Sequence, residues 1–182
     1  MKTLFIALAL LVFSRTGFGQ GTVLFSNREP GYGIDAPIYD FSGNPCSGSA
    51  VLAQLYYAFV GSTFFTPAGE PLIFRTGSRA GYFDNTVDQN RMLFGVAAGA
   101  NVQIQIRVWE SAYGSTFEEA RLSGRYDYSP TLIIATGGGG SPPSLPGVLY
   151  GLKSFQMRLT PEPSTIALGL IGAGALFFRR RK

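Results

Sequence analysis

Three groups of residues in this chain have chemistry to offer: the adjacent carboxylates Glu118 and Glu119, the aromatic rings Trp109, Tyr113, Tyr126 and Tyr128, and the oxygen-rich run Asp84-Asn85-Thr86-Val87-Asp88-Gln89-Asn90. Glycoside hydrolysis needs two carboxyl groups facing each other across a cleft, roughly 5 to 9 Å apart. Neighbours on a helix instead point about 100° apart. Glu118 and Glu119 therefore read first as charges in the first turn of a helix, where the dipole favours them. The aromatic rings can stack on sugars. In Asn101-Val102-Gln103-Ile104-Gln105-Ile106-Arg107-Val108, alternation puts Trp109 on the side of Gln105 and Arg107. Trp109 is expected to be at least partly exposed, and with Tyr113 it forms a candidate glycan contact. The run from Asp84 to Asn90 lacks the central Gly and final Glu of an EF-hand loop and reads as a polar loop.

Two absences narrow the chemistry further. The chain has no histidine, which removes Ser-His-Asp and Cys-His catalysis and the commonest zinc ligand. Cys46 is the single cysteine, so no disulfide can form within the chain. With no histidine to lower its pKa, it reads as a small residue in the turn Gly43-Asn44-Pro45-Cys46-Ser47-Gly48. Gly137 to Gly140 has no Lys-Ser/Thr after it, so it is not a phosphate loop and reads as a flexible one. No catalytic residue, metal site or cofactor is expected.

The two ends have a different character. Pro161-Glu162-Pro163 should be extended and exposed, since each proline fixes φ and removes a donor. Ser164 to Phe178 then gives 15 residues without a charge, and Arg179-Arg180-Arg181-Lys182 ends the chain. Residues 164–178 are expected to form a transmembrane helix, short against the usual ~20 residues of a span. The terminal cations should stay cytoplasmic by the positive-inside rule. At the other end, Lys2 precedes the apolar core Leu4 to Phe13. Gly17 and Gly19 then supply the small residues for cleavage before Gln20. Residues 1–19 are thus expected to be a signal peptide, and 20–160 the body.

The tail resembles the PEP-CTERM sorting signal of Gram-negative bacteria in its tripeptide, apolar helix and basic end. The resemblance implies recognition by an exosortase, a membrane cysteine protease or transpeptidase that cuts near the tripeptide. The body would then be released or transferred to the cell surface or extracellular polysaccharide. The implied partners are signal peptidase, the exosortase and, transiently, the inner membrane.

Residues 20–163, without the leader and the basic tail, keep nine basic residues against all 11 acidic ones. The body is therefore near neutral and slightly acidic, which argues against a nucleic-acid surface. Its pattern is all-β. Val102, Ile104, Ile106 and Val108 form one face of a half-buried strand whose other face is wet. Phe155 to Leu159 repeats the alternation. Val51 to Val60 is apolar on both faces apart from Gln54, and its aromatic and β-branched residues favour a central strand over a buried helix. Weaker strands are expected at Thr22 to Ser26, Pro37 to Phe41, Leu72 to Arg75 and Thr131 to Thr136. Turn clusters separate them at Glu29-Pro30-Gly31, Ser42 to Pro45 and Thr66-Pro67-Ala68-Gly69. Ser115 to Leu122 reads as the one helix, capped by Ser115 or Thr116 and ended by Gly124.

The expected fold is one antiparallel β-sandwich-like domain, flanked by a signal helix and a C-terminal transmembrane helix. The body also resembles a secreted β-rich module that often precedes such a tail. The resemblance rests on Leu24-Phe25-Ser26-Asn27-Arg28, Ile34-Asp35-Ala36-Pro37, Ala53-Gln54-Leu55-Tyr56, Phe74-Arg75-Thr76-Gly77, Val108-Trp109-Glu110, Gly114 to Ala120 and Leu152-Lys153-Ser154-Phe155. It carries over no functional residues. The function expected first is a structural or adhesive role at the cell surface or in the extracellular matrix. Recognition of an extracellular polysaccharide comes second, and a carboxylate-based glycan hydrolase third.

Overall fold

The computed structural model describes residues 20–159. The signal segment, the tripeptide Pro161-Glu162-Pro163, the apolar stretch 164–178 and the terminal cations lie outside the described residues. Among those described, no helix is long and apolar enough to cross a membrane.

The strands, in chain order, are β1 (Gln20–Leu24), β2 (Arg28–Glu29), β3 (Ile34–Asp35), β4 (Ile38–Tyr39), β5 (Gly48–Phe59), β6 (Thr66–Phe74), β7 (Asn90–Ala97), β8 (Asn101–Glu110), β9 (Tyr126–Tyr128), β10 (Leu132–Ala135) and β11 (Phe155–Gln156). Among the described residues, one α-helix, α1 (Phe117–Arg121), follows β8. The main sheet runs β10-β8-β5-β6, with β9 also on β8. All its pairings are antiparallel. The long ladder joins β5 to β8 without a break from Val51↔Glu110 to Phe59↔Val102. A smaller antiparallel pair, β1 and β7, supplies the facing layer.

The period-2 pattern of β8 does what its sequence dictates. Val102, Ile104, Ile106 and Val108 are fully buried beside Val51, Ala53, Leu55 and Tyr57 of β5. Val23, Leu93 and Val96 from β1 and β7 close the same core. Burying a side chain of this size is worth about 1.5–3 kcal/mol, so this shared face dominates the stability of the body.

Three local expectations are corrected, and one strand is added. Thr66-Pro67-Ala68-Gly69 is not a turn but the start of β6, with Tyr56 opposite Pro67 and Tyr57 opposite Thr66. The sheet tolerates Pro67 because β6 is an edge strand, where a missing N–H leaves no ladder bond unmade. Asn90–Ala97, a strand not among those expected, pairs with β1. The strand near the end is only Phe155–Gln156, and it pairs in parallel with β4. The run Gly137 to Gly140 is not free to flex, because Gly137 and Thr22 exchange backbone bonds of 2.9 and 3.0 Å. Gly137 passes so close to the Leu145 carbonyl that a Cβ would overlap it.

Candidate functional site

Helix α1 folds back over the second face of the main sheet. Its N-terminus is set by a capping box: the Thr116 hydroxyl accepts from Glu119 N, and the Glu119 carboxylate accepts from Thr116 N. Glu119 Oε2 also accepts from Ser115 N at 2.7 Å. These hydrogen bonds hold the Glu119 carboxyl below its ordinary pKa. Sequence separates the two adjacent glutamates by angle, and the structure separates them by role: Glu119 closes the cap, while Glu118 faces β5 and β8.

The face under α1 is therefore not wet. Trp109 does lie on the side of Gln105 and Arg107, but it is 0% exposed. It packs with Tyr56, Phe117 and Ala120 in a second core, and its indole N–H donates to Gly114 O at 3.1 Å. The expected glycan contact through Trp109 fails because the helix covers the ring. Tyr113 remains exposed beside Arg125, whose guanidinium carbon is 5.4 Å from the Tyr113 ring centre.

Arg107 is the polar centre of this face. Its guanidinium lies 4.0 Å from the Tyr56 ring centre and 4.6 Å from that of Phe117. Nε donates to Gln105 Oε1 at 2.9 Å, and Nη1 lies 3.6 Å from Glu118 Oε1. Burial lowers the pKa of Arg107, a tendency that Tyr56 and Glu118 oppose. The same burial, with Glu118 beside it, pushes the Tyr56 hydroxyl well above its usual range. Next to this cluster opens a groove of about 280 Å³ lined by Thr63, Phe65, Gln105, Arg107, Phe117, Arg121, Tyr126 and Tyr128. No carboxylate belongs to that lining. Of the four rings singled out in the sequence, Tyr126 and Tyr128 flank the groove; Trp109 and Tyr113 do not.

A second cleft, of about 210 Å³, gathers Arg28, Arg75 and Arg79 near Tyr82. Asn27 ties this corner together. Its Nδ2 donates to Ala36 O and Gly81 O at 2.9 Å, and its Oδ1 accepts from Phe83 N at 2.9 Å. Two segments, one at Ala36 and one at Gly81 and Phe83, thus meet on one buried side chain. No periodicity or spacing marks Asn27 for this role, and its partners could not be found without the fold.

Cys46 is buried, and burial followed by the charge of Asp40 pushes its thiol up to about 12. Among the described residues no cluster of three metal-ligating side chains occurs. Asp88, in the oxygen-rich loop, is taken up by an ion pair with the buried Arg91.

The body ends on held residues, with Met157 N donating to Tyr39 O at 2.9 Å and Arg158 N to Asp127 Oδ2 at 2.9 Å. Residues 159–182 match the PEP-CTERM protein-sorting motif. The chain carries a PEP-CTERM tail. That tail implies a surface protein targeted to an exosortase, exported and processed at the membrane before release to the surface. The match covers the PEP-CTERM tail and leaves the β-rich body outside it. No curated protein and no solved structure matches the chain.

Proposed function

We propose that this chain is a secretory precursor whose body, cut free of a signal peptide and a sorting tail, serves a non-catalytic structural or adhesive role at the cell surface or in the extracellular matrix. The observation that carries the reading is the sorting-motif match over 159–182. Signal cleavage between Gly19 and Gln20 would leave β1 whole, with Gln20 still opposite Ala97. A cut near Pro161-Glu162-Pro163 would fall just beyond the last anchored residues of the body. Until that cut, residues 164–178 hold the protein in the inner membrane, with Arg179, Arg180, Arg181 and Lys182 as the stop.

The non-catalytic part of the reading draws on the clefts. Four clefts among the described residues are lined by at most one carboxylate each, whereas glycoside hydrolysis takes a facing pair. A second reading, glycan recognition, is favoured by one observation, the groove that sets Tyr126 and Tyr128 beside Arg107 and Gln105.

Intact mass of the protein recovered from medium and envelope of its host tests the sorting. Loss of residues 1–19 and of the tail beyond about Pro163 is the expected result. A mass that retains Ile166 to Lys182 in every fraction would defeat it.

A further inference from the structure

We propose that the groove beside α1 is a subsite for a carboxylate-bearing sugar, a uronate unit of an acidic polysaccharide; this rests on the glycan-recognition reading and specifies its ligand. The donors on the groove floor point to such a ligand. Arg107 Nε donates to Gln105 Oε1 at 2.9 Å, which fixes the orientation of that amide. Gln105 Nε2 is left, among the described residues, without an acceptor. The terminal nitrogens of Arg107 approach Glu118 only to 3.6 Å, longer than a hydrogen bond. Arg121, on the groove rim, makes no ion pair with a carboxylate among the described residues.

The groove lining therefore offers donors and no carboxylate of its own, with Glu118 beside Arg107 at 3.6 Å but outside the lining. A guanidinium held between two rings keeps its planar fork in place, so little freedom is lost when a carboxylate docks on it. Its neighbours supply the other half of the recognition. Tyr128 is half exposed and Tyr126 partly so, and their faces suit the apolar side of a pyranose ring. At about 280 Å³ the groove is smaller than a typical drug-sized site and suits one sugar unit of a longer polymer. A nucleic acid is a poor fit, because the body has nine basic residues against 10 acidic ones.

Isothermal titration tests this with the protein recovered from its host in mild detergent. Sodium polygalacturonate should bind, neutral dextran should not, and free galacturonate should compete. Arg121→Gln and Tyr128→Ala should each weaken polygalacturonate binding about tenfold, the cost of one charge-assisted contact for Arg121 and of one stacked ring for Tyr128. Both residues are exposed, so the unfolding midpoint should stay where it is. Arg107→Lys, which keeps the charge but loses the fork, should weaken binding as well. Polygalacturonate affinity unchanged by all three substitutions overturns the proposal. So does dextran sulfate binding as tightly as polygalacturonate, which would mean charge attraction alone. Dextran binding in this groove would overturn the uronate assignment yet keep glycan recognition, and tail processing, read separately by mass, is unaffected by either result.

Discussion

The Arg107 guanidinium stands 4.0 Å from the centre of the Tyr56 ring, and the hydroxyl of that same tyrosine donates to both carboxylate oxygens of Glu118 at 3.0 Å. Cation, ring and carboxylate form one linked unit between β5, β8 and α1. Arg107→Ala would take the cation from the rings of Tyr56 and Phe117 and leave their stacked faces bare. The expected loss is about 2 kcal/mol of stability. Arg107→Lys should recover only part of it, since an ammonium lacks the planar face. Urea denaturation followed by Trp109 fluorescence would measure both.

The helix cap gives the second prediction. Thr116→Ala removes the side chain that receives Glu119 N at 3.3 Å and should cost about 1 kcal/mol. Because α1 is the lid over Trp109, the same variant should raise quenching of the indole by acrylamide. Glu119 has a depressed folded pKa, so its contribution is present above the unfolded value and fades as pH falls through the folded one. An unchanged quenching constant in Thr116→Ala would show that the cap does not hold the lid.

Asn27→Ala should be among the most damaging single changes. It leaves the carbonyl of Ala36 and the N–H of Phe83 without their partner, while Gly81 O keeps the N–H of Ile38, and buried orphans cost about 1–3 kcal/mol each. Asn27→Asp should be no milder, because a carboxylate would face two carbonyl oxygens instead of donating to them. Thermal melts of the two variants against the parent decide this. A well-tolerated Asp would contradict the donor assignment.

Cys46 predicts an alkaline limit to stability. Its folded pKa is raised from 9.0 to about 12. Above pH 9 the unfolded chain sheds the thiol proton and the folded chain keeps it, so stability falls as pH rises through that window. Cys46→Ala should flatten part of the decline between pH 9 and 12. In the native protein the thiol should not react with a disulfide reagent until denaturant is added.

The sorting tail predicts a trafficking phenotype. Replacing Pro161, Glu162 and Pro163 with alanine should leave the protein uncut in the inner membrane. Fractionation and intact mass would read the outcome, and normal processing of that variant would refute the role given to the tripeptide.

Much of this molecule is legible in the amino-acid order because it depends on near neighbours. The buried face of β8 follows from period-2 alternation, and the cap of α1 from Thr116 and Glu119 three residues apart. The tail is a linear arrangement of tripeptide, apolar run and cations, so its match needs no fold. Other features depend on which element covers which face. Alternation alone assigns Trp109 to its side of the strand, but only the return of α1 over that side buries it. Pro67 resembles a turn signal until β6 is known to be an edge strand. Asn27 finds partners at Ala36, Gly81 and Phe83, and the groove brings Phe65 of the β5–β6 connection to Tyr128 of β9. Each of these requires long loops to close before the contact exists, and local periodicity carries no information about that closure.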